Sequence, residues 1–346
     1  MLISRSGTAG DGTDSRVPIM TAPIGSFGCG TTQQFLVEDS AHYLTSRGVI
    51  QLSGARSAEA LQPLVIHSLQ SFTGSGEDKA ILTYMLDSTG ALFADLFVVP
   101  VAPTTEEDAV VLLDCARSQL SRILDLLAVP CEKYAVCPMD VSSDWRVFAE
   151  LPSQTTFKHV GQYLKYRDPR QYMGARILRP SDDPQSSQWQ SELHWVAHAL
   201  RLGQLPSAEA FEHLDVEPQE ANLHSNGVLP DSDCRPGKLV LKTAEPLDSI
   251  RRRVLPFRVE PLSSAFATMN GQSVLAAGVK IATVFMHHGL YGLALVEIEP
   301  WRSALHGGQV LQCAGETVQI TWPSWLGQES SGRMGPVASA SNLSDK

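Results

Sequence analysis

Along this chain the apolar positions switch repeatedly between a period of two and a period near 3.6, and each switch marks an element. Residues 48–52 form a short apolar run that predicts a strand. Ser57 then stands as an N-cap with Glu59 in the first turn, and Leu61, Leu64, Val65 and Leu69 recur at helical spacing. Residues 80–86 and 91–99 predict two strands joined through Asp87-Ser-Thr-Gly90, whose Asp and Gly suit a tight hairpin connection. A strand at 109–113 leads into a helix with Leu120, Ile123, Leu124 and Leu127 on one face, and strands follow near 134–137 and 145–150. Helices interleaved with hairpins predict an α+β domain, its helices packed on one side of a mostly antiparallel sheet.

The polar stretch 179–188 has too little apolar content to pack and reads as an exposed loop. A helix over 189–203 is next, with Trp189, Leu193, Val196, Ala197 and Leu200 as its stripe and Gly203 ending it. Beyond Arg251 the pattern breaks into short strands at 254–259, 274–276, 281–285, 290–297, 310–313 and 317–321, separated by glycine turns. Such a run predicts a small barrel or sandwich. The chain therefore divides into a leader at 1–40, a first domain at 41–248, a C-terminal barrel at 249–326 and a disordered tail at 327–346.

At 346 residues and 43% hydrophobic, the chain has material for more than one folding unit. A net charge of -10 argues against nucleic acid as a partner, since phosphate attracts a basic excess. No run of 18 apolar residues occurs, so a soluble protein without a membrane partner is expected. Six scattered cysteines lack both zinc spacing and the density of a disulfide framework, which fits a reducing compartment. The Gly/Ser/Thr-rich residues 1–40 carry Arg5 and Arg16 but also Asp11 and Asp14, so they half resemble a mitochondrial transit peptide.

Strict alternation along 91–99 groups Phe93, Asp95 and Phe97 on one face of the strand. A carboxylate there needs a donor or carries a raised pKa. It is either a pocket acid for a polar heterocycle or one satisfied by the protein itself. Cys234 sits among Pro230, Pro236 and Gly237, where Arg235 and Lys238 would favour its thiolate if they converge on it. Arg251 and Arg253 alternate with Arg252 on the strand that opens the barrel; at least two should be solvated, while one can meet an anionic ligand tail. His194 and His198 have i, i+4 spacing but no evident third ligand, and His287-His288 face opposite ways. Cys131 and Cys137 read as buried small hydrophobes. Phosphate loops, G-x-S-x-G elbows and dinucleotide fingerprints are absent from the sequence.

In their order and spacing several segments resemble the folate-binding YgfZ and glycine-cleavage T-protein superfamily, and most of all its mitochondrial branch of iron–sulfur cluster assembly factors. Arg47-Gly48 through Gly54 is similar to the family's opening strand, and Leu86-Asp-Ser-Thr-Gly90 through Asp95 to its asparagine-x-x-glycine-x-x-x-x-aspartate hairpin. Asp168-Pro169-Arg170 followed by Gly174-Ala-Arg176, then Glu220-Ala-Asn222-Leu223, Ile250 through Phe257 and Gly289-Leu-Tyr-Gly292 complete the resemblance over roughly 43–326. The family signature Lys-Gly-Cys-Tyr-x-Gly-Gln-Glu stands here as Ser232-Asp-Cys234-Arg-Pro-Gly237-Lys-Leu239, retaining the cysteine and one glycine. The acidic pair of the folate-using transferases is Ala94-Asp95 here, and the arginine expected before the helix-ending glycine is Ala199.

The resemblance implies an aminomethyltransferase-like folate-binding fold over 41–248 with a small C-terminal β-barrel. It implies a mitochondrial-matrix factor acting with A-type scaffold proteins in [4Fe-4S] cluster maturation, with Cys234 as the iron–sulfur ligand in a cluster shared with the partner. Asp95, Glu220, Asn222 and Arg252 would line a tetrahydrofolate pocket. The rival it leaves open is a tetrahydrofolate-dependent aminomethyltransferase or demethylase, which the loss of one acid at Ala94 disfavours.

Overall fold

Among the described residues, two five-stranded sheets and one closed six-stranded barrel make up the fold. The structure, a computed structural model, describes residues 41–69, 80–87, 89, 91–101, 109–152, 163–182, 190–211, 216–223, 250–260 and 269–326. The strands ahead of the barrel are β1 (Ala41–Tyr43), β2 (Arg47–Ser53), β3 (Ile81–Leu86), β4 (Leu92–Val101), β5 (Val110–Ala116), β6 (Cys137–Asp140), β7 (Trp145–Glu150), β8 (Leu164–Arg167), β9 (Ala175–Pro180) and β10 (Gln190–Ser191). The barrel strands are β11 (Arg252–Glu260), β12 (Ser273–Ala276), β13 (Val279–His288), β14 (Tyr291–Glu297), β15 (Leu311–Cys313) and β16 (Glu316–Ile320). Four helices accompany them: α1 (Ser57–Leu61), α2 (Leu120–Tyr134), α3 (Glu192–Leu202) and α4 (Ile298–His306).

The first sheet has the order β3-β4-β5-β2-β6 and the second β10-β1-β7-β9-β8; every pairing is antiparallel except β1 with β10. Alternation gives the first sheet two different faces. Ile50, Leu52, Leu96, Val98 and Leu113 pack under α1 and α2, where Ile123 and Leu127 meet them. Val49, Phe97, Val99 and Leu112 point the other way, toward Ala149, Tyr166 and Leu178 of the second sheet and Trp195 of α3. Helices therefore cover one face, as the pattern predicted, and a second sheet that local pattern did not resolve covers the other.

Several expectations need correction. Phe93 joins the helix-side core while Leu92 joins the inner one, because a bulge opposite Met85 and Leu86 shifts the register and breaks the alternation. Ser57 is the first residue of α1, behind an Arg56 cap, and the helix ends by Leu64; Val65 bridges to Met85 instead. Residue 134 ends α2, so the next strand starts at Cys137, which is exposed, whereas Cys131 is buried as expected. In α3 the buried residues are Trp195, Ala199 and Leu200, and Leu193 faces solvent. Helix α3 wedges between the second sheet and the barrel strands β11, β13 and β14, and those contacts, not the local stripe, set its phase.

The barrel closes by pairing β11 with both β14 and β16. Leu255, Phe257, Ile281, Val284 and Val296 fill it, and α4, absent from the predicted strand series, caps it with Trp301. Gly203 ends α3 at φ +74, where a Cβ would come within 2.9 Å of the Pro256 ring. Among the described residues no helix is long and apolar enough to cross a membrane.

Candidate functional site

The inner face of the first sheet carries charge at three neighbouring positions. Arg47 on β2, Asp95 on β4 and Asp114 on β5 share the parity of Val49, Phe97 and Leu112, so all three turn inward between the sheets. Arg47 joins the acids: one guanidinium nitrogen meets Asp95 Oδ2 at 2.7 Å and Nε meets Asp114 Oδ1 at 2.6 Å. The other oxygen of Asp95 accepts the Ala208 amide at 2.8 Å and the Ser207 hydroxyl at 3.1 Å. Tyr166 donates to Asp114 Oδ2 at 3.0 Å.

From the second sheet Arg176 completes the cluster. Its guanidinium lies between the rings of Phe97 and Trp195, at 4.7 and 4.6 Å, and 3.5 and 3.6 Å from oxygens of Asp114 and Asp168. Among the described residues its nitrogens have no hydrogen-bond partner. Arg170 grips Asp168 with two nitrogens, at 2.8 and 2.5 Å, and donates its third to the Leu205 carbonyl. Three guanidinium groups thus face three carboxylates, and the buried charge is balanced.

Burial by itself would raise the Asp95 carboxyl, but the Arg47 charge, the Ala208 amide and Arg170 more than offset it and hold Asp95 below the usual carboxylate range. Asp168 is held down in the same way against its burial, by Arg170 first. Desolvation dominates for Arg176, whose pKa is lowered, and for the Tyr166 phenol, which is pushed up. Asp95 is therefore a satisfied, ionised acid rather than one poised to titrate near neutrality.

Glu220, Asn222 and Arg252 meet elsewhere, at the root of the barrel. Arg252 forms a fork on Glu220 at 2.8 and 3.0 Å, and Val254 N–H donates to the Glu220 carbonyl at 2.8 Å. Asn222, at φ +61, donates its amide to the Val254 carbonyl at 2.7 Å and accepts from Arg253 at 2.8 Å. Arg253 is buried 5.6 Å from the Trp322 ring, and its burial, with the Arg302 charge, lowers its pKa to about 10. Only Arg251, which precedes the strand, is exposed, so the expectation that at least two of these arginines are solvated is corrected.

Cys234 lies outside the described residues, as do 1–40 and 327–346. His198 bonds the Tyr172 carbonyl at 2.9 Å and His194 approaches Gln190 at 3.4 Å; no group of three metal-ligating side chains exists among the described residues. His287 stacks on Phe257 at 5.9 Å. Sequence reasoning passed over Asp114 and used Asp168, Arg170 and Arg176 only as segments of the resemblance, with no role at a site. For Asp114 and Arg176 the available signal was a lone charge in an apolar strand, as in Val-Val-Leu-Leu-Asp114 and Ala-Arg176-Ile-Leu.

No curated protein sequence matches the chain. Residues 251–328 match the family model described as CAF17, C-terminal beta-barrel domain. Among solved structures, the chain is similar to the glycine cleavage system aminomethyltransferase T from Bartonella henselae. The TM-score is 0.55 at 12% identity, over 83% of this chain and 86% of that one. At that identity the likeness establishes the fold, an aminomethyltransferase-like arrangement of mixed sheets with a C-terminal barrel.

Proposed function

We propose that this chain, which carries a CAF17 C-terminal β-barrel on an aminomethyltransferase-like fold, is a mitochondrial-matrix assembly factor that acts with A-type scaffold proteins in [4Fe-4S] cluster maturation. The observation that carries this reading is the barrel's family match. The resemblance of residues 43–326 to the assembly-factor branch supports it. Cys234 is the proposed cluster ligand. One thiolate cannot hold a cluster that wants about four cysteine ligands, so the partner supplies the others and the cluster, as cargo, is shared across the interface.

The state of Asp95 weighs against the folate-dependent transferase. Asp95 is buried and already accepts three hydrogen bonds from the protein, from Arg47, Ser207 and Ala208, which leaves at most one acceptor site, on Oδ2, for a pterin. Glu220, Asn222 and Arg252 are likewise spent on one another and on the barrel backbone. The hydrogen-bonding capacity of these four residues is thus taken up largely within the protein. The proposed function runs no step through that cofactor.

Anaerobic cluster reconstitution with an A-type scaffold, followed by absorbance spectroscopy, tests the assignment. Wild type should develop cluster bands that Cys234→Ala alters; identical spectra would remove Cys234 as a ligand, and a silent wild type would sink the reading. One-carbon transfer with tetrahydrofolate that is lost in Asp95→Asn and kept in Cys234→Ala would favour the enzyme instead.

A further inference from the structure

The turn from Asp168 to Gly174 holds an exposed aromatic ring on a backbone conformation that bulky residues avoid. Tyr172 is 61% exposed and has φ +63. Strain of this kind persists only where the surroundings enforce it. Here they do so from both sides. Inside, Arg170 forks onto Asp168, and Met173, next to Tyr172, is buried. At the neck, the Asp168 amide donates to the Gly174 carbonyl at 3.0 Å, and Gly174, at φ +78, lies so close to the Glu150 carbonyl that a Cβ would overlap it. Outside, His198 of α3 holds the Tyr172 carbonyl at 2.9 Å.

A buried ion pair and a helix side chain thus hold the strained backbone that carries this exposed ring. A glycine would satisfy the same turn without strain. Tyr is among the residues that most often anchor protein interfaces. Its surroundings indicate the partner's chemistry. Arg201 lies 3.4 Å from His198, and Arg167 stands at the neck of the turn opposite Ala175. Both arginines are exposed, and neither forms an ion pair among the described residues. In a chain of net charge -10, two exposed cations thus stand on the strand and the helix that hold this turn.

We propose that Tyr172, flanked by Arg167 and Arg201, is the docking point for the partner protein, which offers an apolar cleft for the ring edged by carboxylates. The choice of probe rests on the assembly-factor reading. Anaerobic A-type scaffold protein is titrated calorimetrically into the full chain as wild type, Tyr172→Gly, Tyr172→Asn and Arg201→Glu, with a thermal melt of each. Tyr172→Gly and Tyr172→Asn, which keep the turn and remove the ring, should melt no lower than wild type yet bind at least about tenfold more weakly. Arg201→Glu should weaken binding and flatten its salt dependence. Undiminished affinity in both Tyr172 variants overturns the docking point and leaves the assembly reading standing. A large drop in melting temperature in both overturns it too, because the ring is then structural. A wild type that does not bind the scaffold overturns both proposals.

Discussion

The space between the two sheets and the space inside the barrel are both buried and largely apolar, but the first has a charge cluster set into its hydrocarbon and the second is lined by hydrocarbon alone at the positions named below. The first holds Arg47, Arg170 and Arg176 against Asp95, Asp114 and Asp168; the second holds Leu255, Phe257, Ile281, Val284 and Trp301. Hydrocarbon packing is forgiving, because each side chain contributes by area and its loss leaves only a cavity. A compensated charge cluster is not, since removing one member strands another in a medium that cannot solvate it. The fold thus has its most exacting region between the two sheets.

The largest expected effect is at the bridging cation. Arg47→Met leaves Asp95 and Asp114 without their shared partner and should cost about 3–5 kcal/mol in denaturant unfolding. Next, Leu255→Ala in the barrel should cost roughly 3 kcal/mol; if the two losses were reversed in order, the contrast drawn above would fail. A double-mutant cycle sharpens it: Arg47→Met with Asp95→Leu should show a coupling of about 1–3 kcal/mol, because the second change removes the charge stranded by the first. Strict additivity would mean that the pair carries no mutual stabilisation.

The smallest effect is a pH slope. His42 and His198 have pKa values lowered from 6.5, chiefly by burial, so the folded state binds fewer protons than the unfolded one. Their contribution is in place above 6.5 and is lost as pH falls through the lowered values. Asp95 and Asp168, lowered from 3.8, contribute above that value and lose their contribution only in stronger acid. Urea midpoints measured from pH 7 downward should fall gently first and then more steeply below about pH 4. His42→Phe should flatten the gentle part and leave the steep part unchanged.

What could be read from sequence follows the range of the interactions. The hairpin of β3 and β4, the helix α2 and the barrel strands are specified by neighbours a few residues away, and they appear where the pattern placed them. The second sheet was missed because β1 is only three residues long and pairs across the chain with β7 and β10. Alternation put Asp95 on a face correctly, but its partners stand 48 and 113 residues away, at Arg47 and Ala208, and no local pattern reaches that far. The α3 stripe failed for a related reason, since three surroundings compete for that helix and Trp195 wins the buried side.

The amide of Ala208 reaches back 113 residues to Asp95, and this sets the timetable of folding. Arg47 is made before Asp95, but the donors to Asp95 Oδ1 exist only once the chain has grown past Ala208, so the inner surface of the first sheet is completed late. Contacts of such sequence separation slow the search for the native state. The half-built chain, with an apolar sheet face still open, is the species on which a chaperone would act.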